Sequence, residues 1–266
     1  MDDHDAVKKC DIVGGLRGLG VQAGHVLLVH SSLSAFGHVV GGAETVIEAL
    51  LEAVGPGGTV AVPTHTWDRI KPGNPVFDYR STPGCVGTIP ETFRARDDAL
   101  RGLHPTHSCA AIGPHAEDLL RDHETQITPC GSKSPYQRLM DMGGKIVFLG
   151  VTLKYNTTFH ALEEMACAPY VVDLFQMYYT VDREGERQPV PSRLHGEGVS
   201  RDFEGMEPVL LRTGAMIKGT IGRATVRVAD AARMRDTIMP MLAEDPFCFL
   251  TPESAERERS RFARSR

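Results

Sequence analysis

His160 is the residue in this sequence whose type and surroundings best suit proton transfer. It follows a run of capping residues at 156–158, and Glu163 and Glu164 come three and four positions later. The caps predict a short helix with His160 in its first turn, where the helix dipole keeps an imidazole neutral. A neutral imidazole beside a carboxylate on the same helix face suits a general base. Spacing alone favours the alternative, an amphipathic helix with an ordinary surface histidine, and Glu164 is interpreted as a residue that only solvates this helix.

Two other polar clusters, at 30–34 and 64–68, also follow short apolar runs. The runs at 26–29 and 59–62 predict buried strands, as does the run at 146–151 that precedes His160. In open α/β sheets, ligands bind beyond the carboxyl ends of the strands. If these three strands are neighbours, all three polar clusters face one crevice.

The remaining pattern predicts helices and strands in alternation. A helix at 42–54 joins the first two strands into a right-handed, parallel βαβ-like unit. Residues 69–84 predict a functional loop over the crevice, and 192–202 predict an irregular segment. The other predicted elements are helices at 7–19, 86–96, 116–120, from 135, at 203–211 and at 229–244, a hairpin spanning 170–190 and a strand at 220–228.

These elements predict one α/β domain over residues 1–252. Its fold class is a central mixed sheet flanked by helices, with a crevice at the carboxyl ends of the strands and an additional β-hairpin region. Residues 253–266 carry five arginines and three glutamates and predict a solvated tail or frayed helix.

Composition narrows the class of protein. The 266 residues are 41% hydrophobic and 24% charged, and no apolar run is long enough to span a membrane. The acidic first residues do not resemble a signal peptide, and six scattered cysteines without a CxxC pair fit reduced thiols; both predict a cytoplasmic protein. The net charge of −5 argues against a nucleic-acid partner and weakly favours a cationic substrate.

Several familiar chemistries have no signature here. The nucleophile elbow GxSxG is absent, although Ser31, Ser32 or Ser108 remains a candidate nucleophile. The dinucleotide-binding motif GxGxxG and the P-loop motif GxxxxGK[ST] are also absent, which argues against a dinucleotide or a P-loop nucleotide as ligand. Gly41 and Gly42 open a helix. Either their backbone N–H groups bind a phosphate, or the two glycines form a simple turn.

Several histidines are candidate metal ligands. His104 and His107 lie three residues apart, and His30, His65 and His160 are possible additional ligands. Pro105 interrupts the pair, so the two rings do not share a helix as in HExxH. The sequence therefore predicts no metal site.

Ordered motifs across residues 7–250 resemble the aminoglycoside 3-N-acetyltransferases. The resemblance is specific and covers nearly the whole chain. It rests on the residues at 29–33, 41–45, 55–59, 104–105 with Ser108, 134–135, 144–150, 156–160 with Glu163, and 219–224.

That resemblance implies transfer of an acetyl group from acetyl-coenzyme A to the 3-amino group of a deoxystreptamine antibiotic, and hence antibiotic resistance. It implies direct transfer in a ternary complex, with His160 as general base and an acidic residue holding it. The partners would be the antibiotic and acetyl-coenzyme A, with no nucleic acid or membrane, in a monomer or homodimer. The coenzyme-binding residues expected are Ser31, Ser32, Leu33, Phe36, Gly37, Ser108 and Ser134.

The remaining roles combine the resemblance with the chemistry of the reaction. Thr158, or Thr157, is expected to donate to the oxyanion, and Glu197 completes the predicted catalytic set. A polycationic sugar needs carboxylates, so the expected antibiotic contacts are Asp68, Glu163 and Asp202, with His195 replacing a carboxylate contact. Asp68 and Glu197 are favoured as pocket carboxylates, whereas Asp202 is equally interpreted as a helix cap.

Three alternatives remain open. The chain could acylate another amine as a member of the same family, hydrolyse a substrate with a metal or serine, or sequester the antibiotic. Cys130 and the segment 193–197 stand where substrate contacts are expected, so both affect the range of antibiotics accepted.

Overall fold

A computed structural model describes residues 6–196 and 198–263, apart from the side chains of residues 172 and 173. Its first half contains the predicted βαβ unit. Strand β1 (Val26–Ser31), helix α2 (Gly42–Val54) and strand β2 (Thr59–Pro63) follow helix α1 (Lys9–Gly18). β1 and β2 pair in parallel, with Leu28 opposite Ala61, as the crossover rule predicts.

In the described part of the chain, a seven-stranded sheet runs in the order β4-β5-β2-β1-β6-β10-β9. β6 lies beside β1 and parallel to it, whereas β5 and β10 run antiparallel to their inner neighbours. The three strands that precede the polar clusters are therefore adjacent and parallel, as the fold prediction requires. The additional strands are β4 (Leu100–Arg101), β5 (Cys109–Ile112), β6 (Lys145–Leu149), β9 (Met216–Ile221) and β10 (Ala224–Asp230).

Helices cover both faces of this sheet. On one face Leu27 and Val29 pack with α1, α2 and α3, and on the other Leu28 packs with α4 to α8. Strands buried on both faces have continuous apolar sequences, which is why the sequence revealed them. The later helices are α3 (Thr88–Arg94), α4 (Ala116–Leu120), α5 (Pro135–Asp141), α6 (Thr157–Met165), α7 (Glu207–Arg212), α8 (Ala231–Glu244) and α9 (Pro252–Ala263).

A smaller sheet packs beside the first. β3 (Val76–Asp78), β7 (Val172–Val181) and β8 (Arg187–His195) pair in that order around Ile70, Phe77 and Tyr178. The predicted hairpin is confirmed, but β8 includes residues 192–195, for which the sequence predicts an irregular segment. The segment 69–84 also contributes β3 rather than only a loop. The hairpin extends His195 toward α6.

Three other predictions need correction. The single strand predicted over 220–228 is in fact parts of two, β9 and β10, because Gly222 turns the chain with φ 56°. The predicted helix at 203–211 divides into a short 3₁₀ turn, Glu204–Met206, and α7. The segment after Thr251 is an ordered helix, and Ser254, Ala255 and Glu258 are buried on one of its faces. Among the described helices, none is both long and apolar enough to cross a membrane.

Candidate active site

A cavity of about 1020 Å³ opens at the carboxyl ends of β1, β2 and β6. All three polar clusters line it, which confirms that the fold brings them to one crevice. The lining residues at or just after the ends of these strands are Val29, His30, Ser31, Ser32, Leu33, Ser34, Gly37, Pro63, His65, Trp67, Val151, Lys154, Tyr155, Asn156, Thr157 and His160, and the remaining lining residues are 85–88, Pro90 and His107.

Helix α6 begins at the cavity wall. The side chain of Asn156 caps it, accepting the backbone N–H of Thr158 at 3.1 Å. His160 follows in the first turn, as predicted. Thr157 lines the cavity, but Thr158 is fully buried behind it and its hydroxyl does not reach the wall. The hydroxyl of Thr158 has no hydrogen-bond partner in the described structure, so its role as oxyanion donor stays a prediction, and Thr157 is the one of the two that lines the cavity.

His160 is hydrogen-bonded to a buried carboxylate. Its Nδ1 lies 2.7 Å from Oε2 of Glu163, whose side chain is 0% exposed. Since an ionised carboxylate only accepts, the neutral form of the ring carries its proton on Nδ1 and its lone pair on Nε2. The prediction that His160 shares a helix face with a glutamate is confirmed for Glu163.

Arg201 holds the same carboxylate from the opposite side. Its Nε lies 2.9 and 3.1 Å from the two oxygens of Glu163. Burial would raise the pKa of Glu163, but the hydrogen bonds and charges of His160 and Arg201 lower it to about 2. Glu163 therefore stays ionised and keeps His160 in one tautomer. Sequence reasoning missed Arg201, because it lies in a segment with no periodic pattern.

Behind His160 lies a second polar group. The ring of His195 stacks on His160 with centroids 4.5 Å apart, and its Nε2 lies 2.7 Å from Oε1 of Glu164. Glu164 also accepts from Thr128 Oγ1 at 2.6 Å and from the backbone N–H of Cys130 at 3.0 Å. The interpretation of Glu164 as a solvating residue is thus wrong: its side chain is 7% exposed, and burial raises its pKa to about 7.

The other histidines of the cavity are neutral. Burial lowers the pKa of His65 to about 3 and that of His107 well below its ordinary value. His65 bonds the hydroxyl of Tyr136 at 2.7 Å, and its ring lies 4.9 Å from His107. His104 accepts backbone N–H groups of Thr106 and His107 through Nδ1, so it orders the loop before β5.

Comparison with known proteins assigns the family. The family model described as Aminoglycoside 3-N-acetyltransferase matches residues 28–243, which is most of the chain. The chain belongs to that family. It is 32% identical over 256 residues to aminoglycoside N(3)-acetyltransferase IV of Salmonella sp, covering 96% of this chain and 94% of the relative.

Solved structures of acetyltransferases share the fold. A histidine-to-alanine mutant of AAC(3)-IVa in complex with a gentamicin is 30% identical, with a TM-score of 0.82 and 94% of each chain covered. The binary complex of AAC-IIIb with CoASH is 26% identical, with a TM-score of 0.80 over 93% of this chain and 99% of that one. The protein is therefore an α/β acetyltransferase of the aminoglycoside 3-N-acetyltransferase family.

Within this acetyltransferase, four of the seven predicted coenzyme residues line the cavity: Ser31, Ser32, Leu33 and Gly37. The other three do not. Phe36 is 1% exposed and packs in the core beside α2. Ser108 is fully buried and bonds Thr64, and Ser134 is a buried cap that accepts the N–H of Gln137 at 3.4 Å. The hydroxyls of both serines are therefore hydrogen-bonded within the protein, to side-chain or backbone groups of nearby residues.

The predicted antibiotic contacts are scattered in the acetyltransferase. Asp68 adjoins the lining residue Trp67 but faces Arg69 at 3.7 Å, and Asp202 caps a turn by accepting the N–H of Gly205 at 3.0 Å. The cap interpretation of Asp202 is thus the one the structure shows. Glu163 and His195 do not line the cavity; both contact His160 from behind it. Glu197 lies outside the described residues.

The cavity wall has an uneven charge. Of the residues that line it in the described chain, none is a carboxylate, and Lys154 is the one lysine or arginine. No carboxylate of the described part lies within ion-pair distance of Lys154. This wall is therefore suited to an anionic ligand, and sequence reasoning did not select Lys154 because an isolated lysine carries no pattern.

Proposed function

We propose that this protein transfers the acetyl group of acetyl-coenzyme A directly to the 3-amino group of a deoxystreptamine aminoglycoside. The observation that carries the proposal is the bond between Nδ1 of His160 and the buried carboxylate of Glu163. It commits one ring nitrogen to a permanent partner and leaves Nε2, on a cavity-lining residue, as the proton acceptor.

The reaction follows from that geometry. The neutral amine attacks the thioester carbonyl carbon while His160 takes the proton that the nitrogen loses. The C–S bond then breaks, and the departing thiolate takes a proton from the imidazolium. Glu163 stabilises the imidazolium in between without accepting the proton itself. The transfer step needs neither an enzyme nucleophile nor a metal.

The cavity fits acetyl-coenzyme A as the second substrate. Its volume is at the upper end of the roughly 300–1,000 Å³ of small-molecule sites. Lys154 can pair with a phosphate, and Ser31, Ser32 and Ser34 offer hydroxyl groups at the end of β1. Leu33, Val86 and Pro90 offer apolar contacts to a pantetheine chain. A relative of the same fold binds CoASH at its own site. Because acetyl-coenzyme A is a cytoplasmic metabolite, we place the reaction there.

The acceptor is proposed from the relatives and the base. Neighbouring structures hold a gentamicin and sisomicin, and acetylation of such an amine would confer resistance. Thr157 at the first turn of α6 is the proposed hydroxyl near the oxyanion, in place of Thr158. Asp68 and Glu197 remain the proposed carboxylate contacts for the cationic rings.

A second acceptor is favoured by one observation. The described wall of the cavity has no carboxylate, whereas a polycationic antibiotic requires several. The same base and coenzyme site would acetylate a less highly charged amine equally well.

The deciding experiment is a thiol-release assay with acetyl-coenzyme A, a panel of aminoglycosides and a simple monoamine. Release of one thiol per acetylated antibiotic, with the acetyl group located at the 3-nitrogen by NMR, supports the proposal. Faster turnover of the monoamine supports the second acceptor. Thiol release without any amine would indicate a hydrolase, and antibiotic binding without thiol release a sequestering protein; either result contradicts both proposals.

A further inference from the structure

Three metal-ligating side chains from distant segments meet behind the catalytic base. The thiol of Cys130, a carboxylate oxygen of Glu164 and an imidazole nitrogen of His195 all lie within 4.8 Å of one another. They come from the loop before α5, from α6 and from the end of β8. No sequence spacing reveals such a set, since neighbouring members are 34 and 31 residues apart.

The group is enclosed. Cys130 is 0% exposed, and the side chains of Glu164 and His195 are 7% and 12% exposed. Thiolate, imidazole and carboxylate are the three ligand types of protein zinc sites, with bond lengths of about 2.3, 2.0–2.1 and 2.0–2.2 Å. The three ligand atoms now lie within 4.8 Å of one another. For tetrahedral coordination of one ion at these bond lengths, the 2.7 Å contact between His195 and Glu164 has to open by about 0.6 Å.

Outer contacts hold two of the three ligands, Glu164 and Cys130, in place. Thr128 donates to the second oxygen of Glu164, and the side-chain amide of Gln137 donates to the carbonyl of Cys130 at 2.8 Å. By contrast, the thiol of Cys130 has only a long contact, 3.9 Å, to the carbonyl of Thr157. Hydrogen bonds from outer residues that orient the ligating groups are typical of a metal site, and here the thiol has no strong partner of its own.

We propose that Cys130, Glu164 and His195 bind one zinc-type divalent cation, with water as the fourth ligand. One thiolate and one carboxylate balance the two positive charges, so the enclosed site is neutral. Binding breaks the S–H bond of Cys130 and releases its proton to solvent. The ion would join three segments around His160, whose ring stacks on His195, without entering the acetyl transfer.

The test uses the full chain, freed of metal by a chelator and titrated with Co²⁺ and then Zn²⁺. We expect a thiolate-to-cobalt charge-transfer band that saturates at one equivalent, disappears on addition of Zn²⁺, and accompanies a higher melting temperature. Cys130→Ser should abolish the band, whereas Cys10→Ser, which removes an exposed thiol elsewhere, should keep it.

Two further variants keep the test decisive if Cys130→Ser does not fold. His195→Phe retains a stacking ring, and Glu164→Gln keeps an acceptor oxygen for the N–H of Cys130 while its amide can donate to the Thr128 hydroxyl. Each should weaken zinc affinity by at least about 100-fold, the upper range for loss of an outer partner. Circular dichroism checks their folding. Absence of the band in the wild type, or equal zinc affinity in the folded variants, would overturn the proposal and leave the cluster as a hydrogen-bonded support of His195.

Discussion

The two sides of the cavity differ in how their polar groups are satisfied. On the base side, His160, Glu163 and Arg201 bond one another, and the central carboxylate has partners on both oxygens. On the strand-end side, Nε2 of His30 and Oγ of Ser31, both on lining residues, are buried without a hydrogen-bond partner in the described structure. The base side also has such atoms, Oγ1 of Thr158 and Nη2 of Arg201, but neither residue lines the cavity. An unsatisfied buried group costs about 1–3 kcal/mol, and the two on the lining lie where a ligand could supply the missing bond.

This difference separates two tasks. The chain of bonds from His160 through Glu163 to Arg201 is formed before any substrate arrives, as a preorganised proton acceptor requires. On the strand-end side the partnerless atoms belong to lining residues, which is consistent with the binding of acetyl-coenzyme A proposed above. Variants on the base side should therefore change turnover, and those on the strand-end side should change coenzyme affinity.

The largest expected effect is on the base itself. His160→Ala should lower kcat by about 10²- to 10⁴-fold, the usual contribution of a general base, because the variant removes the imidazole proposed to take the amine proton. Single-turnover assays measure the loss, and calorimetry should show unchanged coenzyme binding. His38→Ala, an exposed histidine outside the cavity lining, is the matched control and should retain full activity. Wild-type turnover in His160→Ala would contradict the assignment of the base.

Arg201→Met tests the support behind the base. The variant leaves the buried carboxylate of Glu163 without its cation, so the free energy of unfolding should fall by about 3–5 kcal/mol. Urea denaturation measures the loss. Turnover should fall as well, because the Glu163 carboxylate is no longer fixed against His160. Arg201→Lys, which keeps the charge, should recover part of both; if Arg201→Met were as stable and active as wild type, the support would be dispensable.

The comparison also shows what sequence patterns can and cannot predict. The three buried strands were recognised because each is apolar on both faces, and their polar ends then located the crevice with His160. Arg201 and Glu164 were missed or misjudged because their roles depend on partners 38 and 31 residues away, which no local pattern encodes. Ser108 and Ser134 were assigned to the coenzyme, although buried hydroxyls are more readily satisfied by nearby protein groups.

Lys154→Met tests the charge of the strand-end side. Because its side chain is exposed, the lysine should contribute no more than about 1 kcal/mol to a phosphate contact, or about a fivefold rise in KM for acetyl-coenzyme A. The effect should shrink as salt is raised, and kcat should not change. Lys8→Met, an exposed lysine outside the cavity lining, is the control. A loss in kcat with unchanged KM would mean that Lys154 acts in the transfer step and not in coenzyme binding.

The smallest and most discriminating effect is expected for Ser31→Ala. In the free enzyme this change removes a buried hydroxyl that has no partner in the described structure, so the melting temperature should rise slightly, by the equivalent of about 1 kcal/mol. The same change removes a bond available to the bound coenzyme, so its affinity should fall by several fold. Thermal denaturation with and without coenzyme A measures both effects in one series. A variant that is destabilised in the free state would mean that Ser31 already has a partner there, and the contrast between the two sides would then rest on His30 alone.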